Sequence, residues 1–329
     1  MGSVGIIANP AAGKDIRRLV AQGRFVPNHE KVNVLKRVLA GLDAVGVETV
    51  VFMPDSAQLG RGALDGENYG LDVEFVEMSI FHAEEDSTRA ATAMREAGVG
   101  CLITLGGDGT NRVVAKGCGD VPIMPISTGT NNVFPSMIEG TVAGMAAGQL
   151  ANGAVDPDLA TTRSARLELL IDGDLHDIAL VDLAVSTERF VGARAIWDID
   201  TLHEVFLCRA EPVNIGISAI GAQLHPIPLG TPEGLRIRFG TATESVLAPV
   251  APGMVREVGI ESWEVLAPGQ LRGVNLRPGT IALDGERSLS LTGDHEVAVR
   301  VSTDGPRVVD VDRTLASAVA ARRAEADAR

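Results

Sequence analysis

A glycine-rich loop that contains one acid follows an apolar run in the first half of the chain. The run Cys101–Leu105 has the pattern of a buried strand, and Gly106, Gly107, Asp108 and Gly109 come directly after it. Three glycines in four positions let the backbone turn sharply and approach a phosphate without an intervening side chain. A carboxylate beside phosphates is repelled unless it holds a metal ion or accepts a proton from a nucleophile. The loop therefore indicates phosphoryl transfer, in which Asp108 is either the general base or the contact to a Mg²⁺ ion.

The alternative for this loop is a plain glycine turn, in which Asp108 caps the helix that follows it. Short glycine motifs often occur without a nucleotide. Two further polar loops favour the functional interpretation, because each also ends a strand-like run: one follows Val4–Ala8 and the other follows Pro122–Ile126. In an open α/β sheet, the carboxyl ends of the strands form the edge where ligands bind.

The three loops are therefore predicted to bind ATP. Lys14 adds a positive point charge for phosphate, although it is also compatible with a solvated surface lysine. The hydroxyls and carboxamides of the third loop suit ribose or base recognition. The predicted ATP-binding residues are Asn9, Gly13, Lys14, Gly106, Gly107, Gly109, Thr110, Asn111, Ser127, Gly129, Thr130 and Asn132.

Length and composition limit the class of protein. The chain has 329 residues, of which 45% are hydrophobic, and this is enough for two domains with substantial cores. The net charge of −14 argues against nucleic acids and anionic membranes as partners. No apolar window of about eighteen residues occurs, and the three cysteines are too scattered for a disulfide framework or a zinc site. We expect a cytoplasmic protein.

Helix and strand patterns alternate over residues 1–155, which predicts an α/β domain with a doubly wound, mostly parallel sheet. Apolar residues at helical spacing predict a helix over Lys31–Val45, and Asp86-Ser87-Thr88 is predicted to cap a second helix that ends near Ala97. Residues 56–72 are glycine-rich and polar and are predicted to form a loop. The other predicted elements are strands at 48–53, 73–78 and 122–126 and a helix around 137–150.

Residues 156–312 have a different pattern, which predicts a mainly antiparallel β domain. Asp172-Gly173 is a hairpin signal between strand-like runs at 166–171 and 177–185. The final segment, 313–329, is predicted to form a helix over about 313–326. Further strands are predicted at 213–220, 234–239, 255–265, 274–283, 287–291, 296–302 and 308–311.

The β half holds the candidate acceptor-binding residues. Asp284 and Glu286 flank Gly285 between two strand-like runs; they either form an ordinary hairpin turn or reach an interdomain cleft beside Asp108. Ser218 lies in a run of small residues, which is either a closely packed strand or a surface against which a ligand can lie.

These motifs resemble the NAD kinase and diacylglycerol kinase superfamily. Gly106–Thr110 matches its shared signature, Asn9-Pro10 and Asp284-Gly285-Glu286 resemble the lipid-kinase branch, and residues 214–221 resemble the Gly-Ser-Thr-Ala-Tyr segment of NAD kinases. Over the whole chain, the sequence is most similar to the ATP-NAD kinase/AcoX-like group, whose members are often linked by name to acetoin catabolism. The resemblance implies an NAD kinase/diacylglycerol kinase-like fold, ATP and Mg²⁺ as cofactors, and NAD⁺ as the first choice of acceptor.

Two acceptor positions depart from the NAD kinase pattern. The Asn-acid pair that binds the acceptor adenosine in NAD kinases corresponds to Val181-Asp182, and the tyrosine of the Gly-Ser-Thr-Ala-Tyr segment falls near Ile220. Asp182 keeps the acid and is predicted to bind ribose hydroxyls of the acceptor. Its alternative role is an ion pair with an arginine such as Arg189 or Arg194.

We therefore expect a kinase that transfers the γ-phosphoryl group of ATP to a hydroxyl of a small nucleotide-like acceptor, with NAD⁺ first. A lipid or sphingoid kinase is one alternative, against which the negative charge argues. A nucleotide-binding sensor or accessory protein of acetoin catabolism is the other, and Val181 and Ile220 favour it. The expected partners are small nucleotides and further copies of the chain in a dimer or tetramer, with neither nucleic acid nor membrane.

Overall fold

The computed structural model describes residues 2–12, 22–23, 26–129, 131–188 and 199–327. Its helices are α1 (Asn28–Ala44), α2 (Leu59–Leu64), α3 (Glu85–Glu96), α4 (Asp108–Cys118), α5 (Gly140–Ala151), α6 (Pro157–Ala160), α7 (Ile217–Leu224) and α8 (Val311–Asp327). Its strands are β1 (Ser3–Ala8), β2 (Thr49–Phe52), β3 (Asp72–Phe75), β4 (Cys101–Gly106), β5 (Ile123–Ser127), β6 (Thr161–Arg163), β7 (Arg166–Ile171), β8 (Asp174–Ala179), β9 (Asp182–Ser186), β10 (Leu202–Leu207), β11 (Gly234–Arg238), β12 (Glu244–Ala251), β13 (Met254–Ile260), β14 (Ser262–Leu266), β15 (Leu271–Gly273), β16 (Gly279–Leu283), β17 (Glu286–Leu291), β18 (Val297–Ser302) and β19 (Arg307–Val309).

A seven-stranded sheet forms the first half of the molecule, in the order β3-β2-β1-β4-β5-β19-β6. Its neighbouring strands are parallel except for the pair β19 and β6. The central strands β1 and β4 lie side by side, with Ile6 opposite Ile103. Both strands are almost continuously apolar and buried, because helices cover the two faces of the sheet. This arrangement confirms the predicted doubly wound, mostly parallel sheet.

Helices α1 and α5 cover one face of this sheet, and α3 and α4 cover the other. The contact between α1 and α5 is close because it contains glycines. A Cβ atom on Gly144 of α5 would lie 2.2 Å from the carbonyl oxygen of Val38 in α1, and a Cβ on Gly41 would lie 2.2 Å from the carbonyl oxygen of Thr141. Backbone packed on backbone thus fixes the position of α1.

The second half contains two packed antiparallel sheets. One has the strand order β14-β11-β10-β9-β16-β17, and the other has the order β15-β18-β7-β8. Side chains such as Leu169, Phe206 and Val299 fill the core between them. Helix α7 and the ribbon of β12 and β13 pack on the opposite face of the larger sheet. The predicted antiparallel β class with a final helix is confirmed.

The chain returns to the first half at its end. β19 pairs with β5 and with β6, and α8 packs against α5. Residues 161–163 and 307–309 therefore belong to the first sheet. Domain limits at residues 156 and 313 stay predictions.

The predicted strand over residues 177–185 is wrong in its extent. β8 ends at Ala179, and β9, which begins at Asp182, belongs to the other sheet. The N–H groups of Leu180 and Val181 donate to the carboxylate of Asp284 instead of to a neighbouring strand. A side chain 104 positions away from Leu180 therefore interrupts the apolar run.

The predicted strand at 213–220 is wrong, because helix α7 begins at Ile217. Gly216 precedes it with φ of +85°, which ends the extended backbone. The predicted loop over residues 56–72 contains α2. The strands predicted at 255–265 and 274–283 each contain a break: the first is divided between β13 and β14, and the second is a strand only from Gly279 onward.

The predicted cap of the helix near residue 86 is also wrong. Helix α3 begins at Glu85, so Asp86 lies inside its first turn. The carboxylate of Asp86 accepts hydrogen bonds from the N–H groups of Phe81 and Ala83. It therefore fixes the preceding turn rather than the first amides of the helix.

We expect the substitution Gly144→Ala to destabilise the protein by about 1–3 kcal/mol, because the added methyl group overpacks the contact between α1 and α5. The matched control is Gly62→Ala in α2, where the added Cβ would meet the side chain of Val32, with its two methyl groups at 3.2 and 3.6 Å, and, among the described residues, no backbone atom outside α2 within 4 Å. The gain in helix propensity should keep that control within about 1 kcal/mol of the wild type. Urea unfolding measures both, and equal stability of Gly144→Ala and the wild type would contradict the close packing.

Candidate active site

The three predicted loops leave the first sheet at one edge. Beyond β1 the sheet continues through β2, and beyond β4 it continues in the opposite direction through β5. Such a change of direction leaves a crevice at the carboxyl ends of the two central strands. The loops that follow β1, β4 and β5 border this crevice.

Asp108 is the first residue of α4 and joins the second loop to the third. Its carboxylate accepts hydrogen bonds from the N–H of Phe134 at 2.7 Å and from the N–H of Val133 at 3.0 Å. Gly107, in an extended conformation, occupies the cap position of α4, and no side chain caps that helix end. Asp108 is therefore not the cap of its own helix. It lies half-buried at the N-terminal end of α4.

Asn111 and Thr110 hold the glycine loop in shape. The carboxamide of Asn111 accepts from the hydroxyl of Thr104 at 2.6 Å and donates to the carbonyl of Gly107 at 2.9 Å. Asn111 is fully buried, so its side chain supports the loop from inside. The hydroxyl of Thr110 accepts from the side-chain amide of Asn9 at 2.9 Å, which joins the first loop to the second.

The glycines of the second loop differ in how much space surrounds them. A Cβ on Gly106 would lie 2.5 Å from the side chain of Thr110, and one on Gly107 would lie 2.9 Å from the carboxamide oxygen of Asn132. A side chain at either position would therefore displace Thr110 or Asn132, which hold the loops together. A Cβ on Gly109 would lie 3.6 Å from the carboxyl group of Glu286, which is ordinary contact.

The third loop is held by its own polar side chains. The hydroxyl of Ser127 donates to the carbonyl of Gly129 at 2.8 Å and accepts from the carboxamide of Asn132 at 2.8 Å. Asn132 also lies against Gly107, so the second and third loops are in contact. Three predicted binding residues, Gly13, Lys14 and Thr130, lie outside the described residues.

Lys31 is a functional candidate that the sequence reasoning missed. It lies in the first turn of α1, is fully buried, and donates to the carbonyl oxygens of Asn9, Pro10 and Ala12 at 2.9–3.0 Å. Its position in the sequence could have identified it. The chain has four lysines, and Lys31 lies in the first turn of the helix that follows the first loop.

Asp284 is a buried structural acid in the turn between β16 and β17. Its carboxylate accepts from the N–H groups of Leu180 at 3.0 Å, Val181 at 2.8 Å and Asp182 at 3.2 Å. Burial raises the pKa of Asp284, while the positive charge of Arg112 and the N–H donors oppose that rise. Asp284 therefore lies in a hairpin turn, and its carboxylate fixes the segment that carries Asp182. Its role in acceptor binding stays a prediction.

Arg112 joins the two halves behind the glycine loop. Its guanidinium, almost fully buried, donates to Asp177 in β8 at 2.9 Å and to Glu84 at 2.8 Å. Attraction to Asp177 and to the carboxylates of Asp284 and Glu286 raises the pKa of Arg112 against the opposing effect of burial. A single cation on α4 thus attracts acids from both halves. The sequence reasoning gave Arg112 no role.

The acceptor candidates lie at different places. Glu286 is half-buried and faces Gly109, so it lies beside the second loop. This is the position that the interpretation of a cleft beside Asp108 required. Asp182 is buried, and its backbone carbonyl accepts from the N–H of Asp284 at 2.8 Å. Ser218 is buried in α7, where its hydroxyl lies 2.8 Å from the carbonyl of Arg209, to which it donates. The structure therefore brings Glu286, but not the hydroxyl of Ser218, to the glycine loop.

Two shallow cavities in the described part of the chain lie away from this crevice. One, of about 270 Å³, is lined by residues such as Gly2 and Val99 at the opposite edge of the first sheet. The other, of about 320 Å³, lies between Leu202 and Arg256 in the second half. Neither contains residues of the three loops, so the convergence of polar side chains, rather than cavity size, identifies the candidate site.

The donor set of the crevice suits a magnesium ion that arrives with a nucleotide. Among the described residues, no group of three or more His, Cys, Asp or Glu side chains could hold a metal by itself. Mg²⁺ usually takes one or two protein carboxylates together with phosphates and water. Asp108 provides one such carboxylate, so the residues fit that mode of binding.

No helix among the described residues is long and apolar enough to cross a membrane.

Comparison with known proteins identifies the family. Residues 4–155 match the ATP-NAD kinase N-terminal domain, and residues 165–304 match the acetoin catabolism protein X C-terminal domain. The chain is 41% identical to acetoin catabolism protein X of Cupriavidus necator over 322 residues, which cover 94% of this chain and 90% of that protein. The chain belongs to the acetoin catabolism protein X family.

The fold of this family member is also similar to that of a solved structure. A crystal structure of yeast NADH kinase in complex with NADH matches with a TM-score of 0.50 and 13% identity, over 96% of this chain and 86% of that one. At this identity the likeness shows the fold alone. It confirms the predicted fold, while the match to the ATP-NAD kinase N-terminal domain confirms the predicted resemblance and supports a kinase-type function.

We expect Asp284→Ala to lower the free energy of unfolding by about 2–4 kcal/mol, because three buried N–H groups lose their acceptor and alanine disfavours the φ of +50°. Asp284→Asn should cost less than half as much, since it keeps one oxygen and tolerates this backbone conformation.

Asp172→Ala is the matched control for this substitution. Asp172 has a similar φ of +52° but lies in an exposed turn, where its carboxylate accepts from the N–H of Glu296 and pairs with His295 at the surface. Comparing the two alanine variants separates the free-energy cost of the left-handed backbone from that of the lost buried hydrogen bonds. Urea unfolding measures all three variants. If Asp284→Ala were no more destabilising than Asp172→Ala, the carboxylate would not be holding the segment at residues 180–182.

Proposed function

We propose that this protein transfers the γ-phosphoryl group of ATP to a hydroxyl of a small nucleotide-like acceptor, with NAD⁺ as the first candidate and NADP as its product. The observation that carries the proposal is the position of Asp108. It lies at the first turn of α4, in the crevice where three strand-end loops meet, and Glu286 of the second half lies across Gly109.

The contacts among the three loops support a joint role in binding the donor nucleotide. The second loop presents glycine backbone and the N-terminus of α4, which together suit phosphate binding. The first loop is joined to it through Asn9 and Thr110, and the third through Asn132 and Asp108. Mg²⁺, when bound in contact with Asp108, would neutralise part of the phosphate charge. These contacts support the proposal that the loops form one surface for a nucleoside triphosphate rather than three separate turns.

Asp108 is proposed to accept the proton of the acceptor hydroxyl. The hydroxyl oxygen then forms a bond to the γ-phosphorus, the bond from that phosphorus to the bridging oxygen breaks, and ADP leaves with the electron pair. The hydrogen bonds from Val133 and Phe134 hold the carboxylate in a fixed direction before the reaction. Such preorganisation avoids reorientation of the base during transfer.

The proposed acceptor site is in the second half, with Asp182 as its acid. Asp182 is buried and its backbone is fixed by Asp284, so its carboxylate has a defined place from which to bind ribose hydroxyls. The arginines that sequence reasoning named as its alternative partners, Arg189 and Arg194, lie outside the described residues. The related fold of a yeast NADH kinase complexed with NADH makes NADH a second acceptor to test.

A nucleotide-binding accessory role is the second candidate, and one observation favours it. Val181 and Ile220, which stand where NAD kinases have polar acceptor contacts, are both fully buried in apolar surroundings. The acceptor side therefore lacks part of the polar recognition expected of an NAD kinase. Binding of ATP without turnover on NAD⁺ or NADH would support this role.

We expect Asp108→Asn to lower kcat by about 10²-fold or more, because it removes the general base. The Kd for ATP should stay within about threefold of wild type, since the asparagine oxygen can still accept from Phe134. Formation of NADP from NAD⁺ and isothermal titration with ATP measure the two quantities. Activity within a few-fold of wild type would mean that Asp108 serves only to hold the third loop.

Asp182→Ala should raise the KM for NAD⁺ by about tenfold or more without changing the affinity for ATP, because only acceptor contacts are removed. Its Tm should stay near that of the wild type. A fall in Tm with an unchanged KM in the remaining folded protein would instead assign Asp182 to an internal ion pair.

A further inference from the structure

Lys31 holds the backbone of the first loop from beneath. Its ammonium group donates to three carbonyl oxygens, which belong to Asn9, Pro10 and Ala12, at 2.9–3.0 Å. The side chain is fully buried in α1. These bonds fix nearly consecutive peptide groups at the point where the chain leaves β1.

Stability alone is a poor explanation for a lysine at this position. Burying an ammonium group costs several kcal/mol of desolvation, and replacing buried charges with apolar side chains of similar volume is often neutral or stabilising. A methionine would fill the same volume without that cost. The specific property of lysine here is that it directs three carbonyl oxygens inward and places a positive charge beneath the loop.

The fixed loop in turn positions groups that border the crevice. The side chain of Asn9 accepts from the N–H of Ala11 at 2.8 Å and donates to Thr110 of the second loop at 2.9 Å. α1 itself cannot shift easily, because Gly41 and Gly144 pack its backbone against α5. The position of the ammonium group is therefore transmitted to both phosphate-facing loops.

We propose that Lys31 is a positioning residue for the triphosphate of the donor nucleotide. It shapes the first loop for phosphate binding and contributes a buried positive charge to it, without itself touching the substrate. This inference rests on the proposed phosphotransfer function and adds to it a residue on which donor affinity depends. A positive charge beneath a loop attracts phosphates more strongly than the same charge in water would.

The test compares Lys31→Met with Lys36→Met, a lysine on the same helix that pairs with Glu67 at 3.0 Å on the surface. Isothermal titration with Mg²⁺ and ATP gives the Kd, thermal unfolding gives the Tm, and steady-state kinetics gives KM for ATP and kcat. We expect Lys31→Met to raise both the Kd and the KM for ATP by about tenfold or more. Its kcat at saturating ATP should stay within about threefold of the wild type. Lys36→Met should leave the Kd, the KM and kcat unchanged.

The outcomes separate the two proposals. If the wild type binds no ATP in the titration, the phosphotransfer proposal fails and the role of Lys31 fails with it. If the wild type binds ATP and folded Lys31→Met binds it equally well, only the role of Lys31 is wrong. Lys31→Gln, which keeps one donor group, provides a second variant, and unfolding of both variants would assign Lys31 to stability and overturn the inference.

Discussion

The adjacency of β1 and β4 in the first sheet is the constraint from which the site follows. Because the sheet continues in opposite directions beyond these two strands, a crevice forms at their carboxyl ends. The first and second loops must then emerge side by side, and the third loop, after β5, lies next to them. The polar groups of three separate sequence segments therefore meet at one place without any local sequence signal for their contact.

Charged side chains determine the backbone of the segments around this crevice. Lys31 binds the carbonyl groups of the first loop, Asp108 binds N–H groups that follow the third loop, and Asp284 binds those of residues 180–182. Each uses the strength of a charge-assisted hydrogen bond to hold a conformation that no regular ladder supports. Arg112 then connects this arrangement across the two halves through Asp177 and Glu84.

The sequence predicted the first half better than the second for a physical reason. Apolar runs such as Cys101–Leu105 report burial directly, and the loops after them carry residues with distinct chemistry. The break at Leu180 and the helix at Ile217 depend instead on contacts with Asp284 and on the backbone of Gly216. Local periodicity contains no information about a partner 104 positions away, nor about the role of Lys31.

The charge balance of the crevice constrains what can bind there. Asp108 and Glu286 both border the second loop, and two carboxylates repel a triphosphate unless cations lie between them. Two cations close to these loops, Lys31 and Arg112, are buried and already bonded to carbonyl groups and carboxylates. A nucleotide would therefore bind favourably as its magnesium complex, and Glu286 would then repel free ATP more than the complex.

Removing Mg²⁺ should therefore weaken ATP binding more in the wild type than in Glu286→Gln, and isothermal titration with and without Mg²⁺ measures the difference. Equal dependence on Mg²⁺ in the two proteins would show that Glu286 does not face the phosphates.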